Sequence, residues 1–286
     1  MADAEMIGLT MERRKHGKKI KAALALLTAL LLGLLSACAQ AKDVVLVGST
    51  SVQPYAEVLA EEYHILYPGA AEVDVQGGGS ATGIMAVRSG VADIGMSSRA
   101  LHDDEKDLWS KVIAKDGLAI IVNPANPVAG LTLEQVRDIY AAKITDWSEV
   151  GGPAAKIDVV TREEGSGTRD AFKEKVMGKE AGITPRAIVQ ASNGAVRQVV
   201  SSDPHAIGFI SLGLVDTTVK ALSLDGVTAS RENILNGSYG LYRPFLFVLS
   251  APPEGKAKDF IDFVMSSEGQ RILEQNGLIS AVENPQ

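Results

Sequence analysis

Three short segments rich in glycine and hydroxyl residues could together bind a small anion. Each follows an apolar run of strand length and precedes a helical pattern, so each is predicted to lie at a helix N-terminus. Unpaired N–H groups and a partial positive charge favour anions there. Glycine lets a ligand approach the backbone, and serine or threonine adds a hydroxyl donor. One such loop is explained equally well by helix capping, but three favour a shared ligand. The segments are 48–51 (GSTS), 77–83 (GGGSATG, with Gly79 and Ser80) and 165–168 (GSGT).

Arg162 is the cation nearest to these segments on the strand side. A planar guanidinium suits two parallel hydrogen bonds to a tetrahedral oxyanion. The alternative is a surface salt bridge with Glu163 or Glu164.

Other chemistries find little support in the sequence. None of the three segments carries the lysine of a nucleotide-binding P-loop, and residues 78–82 lack the final glycine of a nucleophile elbow. The histidines beyond residue 40 show no metal-ligand spacing and no evident triad partner. We therefore expect neither an enzyme, nor a metal, nor a cofactor.

The elements that must position these segments alternate between strand-like and helix-like patterns. This alternation predicts an α/β protein with mainly parallel sheets flanked by helices. Two β-rich runs broken or bordered by proline, 117–128 and 242–250, interrupt it. If both cross between lobes, the chain forms two lobes joined by two hinge strands. The lobes are then 43–120 with 246–286, and 121–245. The alternative is a single continuous sheet.

The N-terminus predicts an export signal. Six lysines and arginines between residues 13 and 21 precede an apolar run, 22–35, that is too short to span a bilayer. The run ends at Cys38, in a sequence that resembles a bacterial lipobox. We expect residues 1–37 to be removed and the thiol of Cys38 to carry a lipid such as palmitate. Residues 38–42 would then tether the protein to the membrane, facing the periplasm or the cell exterior. The alternatives are an ordinary signal peptide or an uncleaved anchor, and translation starts at Met1 or Met11.

Charge and cysteine content limit the partners. Removal of residues 1–37 takes away 6 basic and 3 acidic residues from totals of 28 and 35, which leaves 22 against 32, or a net charge of −10. So acidic a chain is a poor candidate for binding nucleic acid. Cys38 is its only cysteine, so no disulfide is expected.

Several linked motifs, in order from about residue 43 to the C-terminus, resemble the periplasmic phosphate-binding proteins of bacterial Pst-type ABC transporters. They are GSTSV, PYAEVLAEEY, QGGGSATGI, ADIGMSSR, IYAAKITDW, VVTREEGSGTRDAF and AIGFISLG. The resemblance implies a two-lobed, type II periplasmic-binding-protein fold with an oxyanion in the cleft. It also implies a monomer that delivers phosphate to a membrane permease driven by an ATPase.

The resemblance also implies which residues hold the ligand. Glu164 falls where the family can carry an acid that holds the arginine in place, and Gly79 supports the second loop. The implied phosphate-binding residues are Thr50, Ser51, Ser80, Ser98, Arg162, Ser166, Gly167 and Thr168.

Ser98 departs from the pattern of some family members, which carry an aspartate there. A carboxylate accepts the proton of hydrogen phosphate and rejects sulfate, whereas a hydroxyl can also donate. Sulfate, molybdate or tungstate therefore stay open as ligands. Arg99 could assist or form a structural ion pair. A phosphate-sensing surface lipoprotein or an adhesin is a further alternative to transport.

Overall fold

The computed structural model describes residues 44–179 and 181–282. The predicted signal peptide, Cys38 and the tether lie outside these residues. Among the described residues, no helix combines the length and the apolar character needed to cross a membrane.

The strands in the described part of the chain form two sheets. They are β1 Val44–Gly48, β2 Val73–Gly77, β3 Ile94–Ser97, β4 Trp109–Val122, β5 Gly130–Leu131, β6 Asp158–Arg162, β7 Ile188–Gln190, β8 Ala206–Ser211, β9 Lys220–Ala221, β10 Ser223–Leu224, β11 Tyr242–Leu249 and β12 Ile279–Ser280. One ten-stranded sheet has the order β2-β1-β3-β11-β4-β8-β6-β7, with β12 and β9 paired to β4. The second, two-stranded sheet consists of β5 and β10.

Helices follow most of the parallel strands. The α-helices are α1 Gln53–Leu66, α2 Ser80–Arg88, α3 Leu133–Tyr140, α4 Gly167–Phe172, α5 Asn193–Ser202, α6 Arg231–Leu235, α7 Gly255–Met265 and α8 Ser267–Gln275. A π-helical turn, Lys173–Met177, continues α4, and 3-10 turns occupy Asp103–Glu105, Trp147–Val150 and Leu212–Leu214.

The long strand β4 belongs to both halves of the large sheet. Residues from Trp109 to Gly117 pair antiparallel with β11, and residues from Leu118 to Val122 pair antiparallel with β8. We call β1–β3, β11 and the first part of β4 the first lobe, and β6–β8 with the rest of β4 the second. Within them, β1 pairs parallel with β2 and β3, and β6 pairs parallel with β7 and β8. The lobe boundaries predicted at 120/121 and 245/246 fall inside β4 and β11.

Each lobe has apolar side chains on both faces of its sheet. Neighbouring residues of one strand enter different clusters, as Leu46 and Val47 do in the first lobe and Ile120 and Ile121 in the second. Because successive side chains of a strand point to opposite faces, helices must cover both faces of each half. The predicted two-lobed α/β class is thus confirmed. Strand pairing is nevertheless continuous through β4, as the single-sheet alternative supposed.

Candidate functional site

The predicted site residues lie where parallel strands end. Thr50 and Ser51 follow β1, Ser80 follows β2, Ser98 follows β3, and Arg162 ends β6 immediately before the loop to α4. The carboxyl ends of neighbouring parallel strands meet at one edge of a sheet, where open α/β sheets bind ligands. The first three strands belong to the first lobe and β6 to the second, so the residues meet between the lobes.

Hydroxyl groups from both lobes are in contact and buried. Ser51 Oγ of the first lobe lies 2.8 Å from Thr168 Oγ1 of the second. Ser80 Oγ accepts a hydrogen bond from the backbone N of Ser98 at 3.1 Å and lies 3.5 Å from Ser98 Oγ. Each of these four side chains is at most 1% exposed. The lobes therefore enclose a polar region rather than an apolar one.

Glycines allow the loops of the two lobes to approach closely. A Cβ added at Gly167 would lie 2.2 Å from Ser80 Oγ and 2.7 Å from Ser98 Oγ, so only hydrogen fits there. Gly79 has a φ of +92°, which favours glycine, and a Cβ there would lie 3.3 Å from the carbonyl oxygen of Gly165. That same carbonyl accepts a hydrogen bond from Ala81 N at 3.1 Å, which ties the start of α2 to the second lobe.

Arg162 is 1% exposed and nearly saturated with hydrogen bonds. Its Nε and Nη2 donate to the Glu163 carboxylate at 2.8 and 2.9 Å, and Nη2 also reaches Thr50 Oγ1 at 3.2 Å. Backbone carbonyls of Gln190 and Ala191 accept further bonds from this guanidinium. Its Nη1 is buried and has no partner among the described residues. An unsatisfied buried donor costs about 1–3 kcal/mol of free energy, and more when it is charged. An acceptor bound to Nη1 would remove that cost.

The acid that holds Arg162 is Glu163, and the expectation for Glu164 is wrong. Glu164 forms an ion pair with Arg169, and its side chain is 79% exposed. The chain turns here, since the Glu163 carbonyl accepts a hydrogen bond from Ser166 N. This turn carries Glu164 outward while Glu163 stays against Arg162. The alternative of a salt bridge between Arg162 and Glu163 is therefore correct, except that Arg162 is buried and not at the surface.

Arg99 forms a structural ion pair. Its Nη1 donates to Glu105 at 2.6 Å and its Nε donates to Asp170 of α4 at 3.0 Å. Burial opposes the charge on Glu105, but hydrogen bonds from Arg99 and the His102 backbone outweigh it and lower the pKa of Glu105. Ser166 caps α4, because its Oγ accepts a hydrogen bond from Arg169 N at 3.3 Å.

Two side chains that sequence reasoning missed also contact the candidate site residues. Asn193, at the start of α5, donates through Nδ2 to Ser51 Oγ at 2.8 Å and to Thr50 Oγ1 at 3.4 Å. Arg243 of β11 donates through Nη2 to Ser51 Oγ at 3.0 Å. Asn193 lies at the end of a short polar stretch before a helix, and the three glycine and hydroxyl segments lie in the same position relative to their helices. Arg243 is a single charged residue in an apolar strand pattern, and such a residue indicates a buried polar role.

The arrangement offers hydrogen-bond donors around a small buried region. Within the described ranges, no group of three or more histidine, cysteine, aspartate or glutamate side chains is placed to hold a metal ion. Hydroxyl, amide and guanidinium donors from two lobes suit a small oxyanion. Fold and site together define a two-lobed binding protein of the kind that encloses a solute between its lobes.

Comparison with known proteins gives the family. A family model described as a PBP superfamily domain matches residues 36–268. The phosphate-binding protein PstS of Bacillus subtilis is 31% identical over 242 residues, which cover 82% of this chain and 80% of that one. The chain therefore belongs to the PBP superfamily and, within it, to the PstS family.

Solved structures of phosphate transport proteins have the same fold as this chain. A putative phosphate ABC transporter substrate-binding protein with bound phosphate from Clostridium perfringens has a TM-score of 0.81 and 43% identity, and the match covers 84% of this chain and 99% of that one. An ABC-type phosphate transport receptor from Vibrio cholerae has a TM-score of 0.69 and 41% identity, over 83% of this chain and 99% of that one.

Proposed function

We propose that this protein binds inorganic phosphate between its two lobes and delivers it to an ABC-type importer. The relatives support the ligand class, since the Bacillus subtilis protein is named for phosphate binding and the Clostridium perfringens structure holds phosphate. The proposal includes no covalent step and no cofactor.

The observation that carries the proposal is the unpartnered Nη1 of the buried Arg162. A phosphate oxygen there would satisfy a charged donor that has no partner among the described residues. Hydrogen bonds to charged groups contribute about 1.5–3 kcal/mol each. Several converging donors are thus enough for micromolar or tighter binding.

The hydroxyl of Thr168 is a second donor for the ligand. The lone pairs of Ser51 Oγ accept bonds from Asn193 Nδ2 and Arg243 Nη2, so the Ser51 hydrogen must point to Thr168 Oγ1. The amide orientation of Asn193 is fixed, because its Oδ1 accepts from Ser211 N at 3.2 Å. The hydroxyl hydrogen of Thr168 is then left to donate to a ligand.

We assign the remaining ligand contacts to the loops already described. Gly167 contributes close backbone approach at the start of α4, and Gly79 supports the opposite loop. Ser166 combines capping with a hydroxyl donor. The proposed phosphate-binding residues are Thr50, Ser51, Ser80, Ser98, Arg162, Ser166, Gly167 and Thr168.

Binding would proceed by closure of the lobes. Phosphate enters while the two lobes, as defined above by their strands, are apart, and β4 and β11 act as the hinge. Closure then forms the contacts between the lobes, including the Ala81–Gly165 and Arg99–Asp170 bonds. A dehydrated dianion is costly to bury, and the donors of the proposed phosphate-binding residues offset that cost.

The cellular setting is also part of the proposal. The protein is exported, acts as a monomer, and is anchored by a lipid on Cys38 beside its permease and ATPase. Co-transcription with genes for a permease and an ATPase would support transport over a purely sensing role.

Calorimetric titration of the chain from residue 43, stripped of bound anion, tests the function. We expect saturable phosphate binding at one site. Competition with sulfate, molybdate and tungstate ranks the ligands. Absence of phosphate binding at millimolar concentration would remove the proposal, and tighter binding of another anion would change its ligand.

A further inference from the structure

A buried ion pair lies directly behind the hydroxyl cluster of the site. Arg243 on β11 and Asp116 on β4 are cross-strand partners, and both are 1% exposed. Arg243 Nε and Nη2 donate to Asp116 Oδ2 at 3.1 and 3.0 Å. The second carboxylate oxygen accepts from Ser211 Oγ at 2.7 Å. Every oxygen of this carboxylate is therefore engaged.

Stability alone does not account for this pair. Removing two charges from water costs several kcal/mol per ion, and apolar residues of similar volume often serve a core equally well. Burial raises the pKa of the Asp116 carboxyl, and Arg243 and the Ser211 hydroxyl oppose that rise. The pair is thus held together against an unfavourable environment.

The edge of the Arg243 guanidinium that does not contact Asp116 faces hydroxyl groups of the site. Nη2 reaches Ser51 Oγ at 3.0 Å, and Nη1 reaches Ser98 Oγ at 3.5 Å, the outer limit of a hydrogen bond. These hydroxyls belong to the loops after β1 and β3. Asp116 holds one edge of the fork, so the opposite edge is kept facing these hydroxyls and any acceptor bound beside them.

Arg162 and Arg243 approach the site from different lobes. Burial lowers the pKa of Arg243, Asp116 opposes this, and the nearby charge of Arg162 lowers it further. Two guanidiniums brought together on closure repel one another unless negative charge lies between them. A doubly charged anion relieves that repulsion more than a singly charged one of the same shape.

We propose that Arg243 is a second anion-binding guanidinium, positioned by Asp116, and that with Arg162 it makes the site select doubly charged tetrahedral anions over singly charged ones. The inference rests on the proposed function for the class of ligand. It adds a residue, its positioning partner and a basis for charge selection.

The test measures phosphate affinity in three variants whose folding is checked by circular dichroism and thermal melting. Arg243→Lys keeps the charge but not the fork, and Asp116→Asn keeps the shape but not the carboxylate. Arg243→Met combined with Asp116→Asn leaves no buried charge unpaired. We expect at least a tenfold loss of phosphate affinity in Arg243→Lys and in the double variant. Asp116→Asn should weaken binding less. Arg231→Ala, which removes an exposed arginine paired with Glu274, is the control and should change nothing.

Charge selection is tested with two further probes of the same shape. Sulfate is a tetrahedral dianion and perchlorate a tetrahedral monoanion. We expect sulfate, but not perchlorate at equal concentration, to displace phosphate from the unmodified protein. That difference should shrink in the folded double variant. Equal displacement by both anions would overturn the charge-selection claim.

The outcomes separate the two proposals. If the unmodified protein binds phosphate and folded Arg243 variants bind it equally well, the inference fails while the proposed function stands. If the unmodified protein binds no tetrahedral anion, both fail. Should the variants not fold, a crystal structure of the phosphate complex decides. It must place a phosphate oxygen within hydrogen-bond distance of Arg243, and an oxygen shell that excludes this guanidinium overturns the inference.

Discussion

Replacing Gly167 with alanine should separate folding from lobe closure. The added methyl group would lie 2.2 Å from Ser80 Oγ and 2.7 Å from Ser98 Oγ, both below any normal contact distance. Both serines are fully buried and belong to the opposite lobe. The collision therefore arises only when the lobes meet, and the second lobe by itself has no reason to be destabilised.

The magnitude follows from the cost of one extra methyl group in a packed region. Overpacking costs about 1–3 kcal/mol. Because about 1.4 kcal/mol corresponds to a tenfold change, phosphate affinity should fall roughly 5- to 150-fold. The melting temperature without phosphate should not fall, since alanine is a better helix former than glycine.

Calorimetry and thermal melting on the same preparation provide the assay. Gly182→Ala is the matched control, because a Cβ there would meet nothing within 4 Å. An affinity within twofold of the unmodified protein in Gly167→Ala would refute the close approach of the lobes in the bound state. A lower melting temperature without phosphate would show instead that Gly167 is needed for folding.

Three further predictions concern charge, selectivity and location. Glu163→Ala should weaken phosphate binding at least fivefold in calorimetry, because Arg162 loses both hydrogen bonds to the Glu163 carboxylate. Glu164→Ala should leave phosphate affinity within twofold, and the reverse order would contradict Glu163 as the partner of Arg162. Ser98→Asp should raise the ratio of phosphate to sulfate affinity at least tenfold in competition titrations, since a carboxylate accepts the proton of hydrogen phosphate and repels sulfate; an unchanged ratio would move selectivity away from this position. Cys38→Ser should release the protein from the membrane fraction on cell fractionation, and retention there would exclude the lipid anchor.

Local patterns made much of the fold and part of the site predictable. Alternating strands and helices indicate a parallel sheet, and a glycine and hydroxyl loop between them marks a helix N-terminus. The loop that contains Gly167 and the cation Arg162 could therefore be singled out from a few adjacent residues. These features depend on sequence neighbours alone.

What could not be predicted depends on distant or fine geometry. Arg243 and Asp116 meet only through the register of β11 with β4, and 127 residues separate them. The choice between Glu163 and Glu164 depends on where one turn begins. Either acid lies near Arg162 in sequence, but the turn directs only one of them inward.

The central claim is that the unpartnered donor of the buried Arg162 holds phosphate between the lobes. The most direct measurement is the calorimetric affinity of Arg162→Ala beside that of Arg231→Ala, both shown to be folded. We expect at least a tenfold loss of phosphate affinity for Arg162→Ala and none for Arg231→Ala. An unchanged phosphate affinity in folded Arg162→Ala would contradict it and leave Arg162 with a structural role alone.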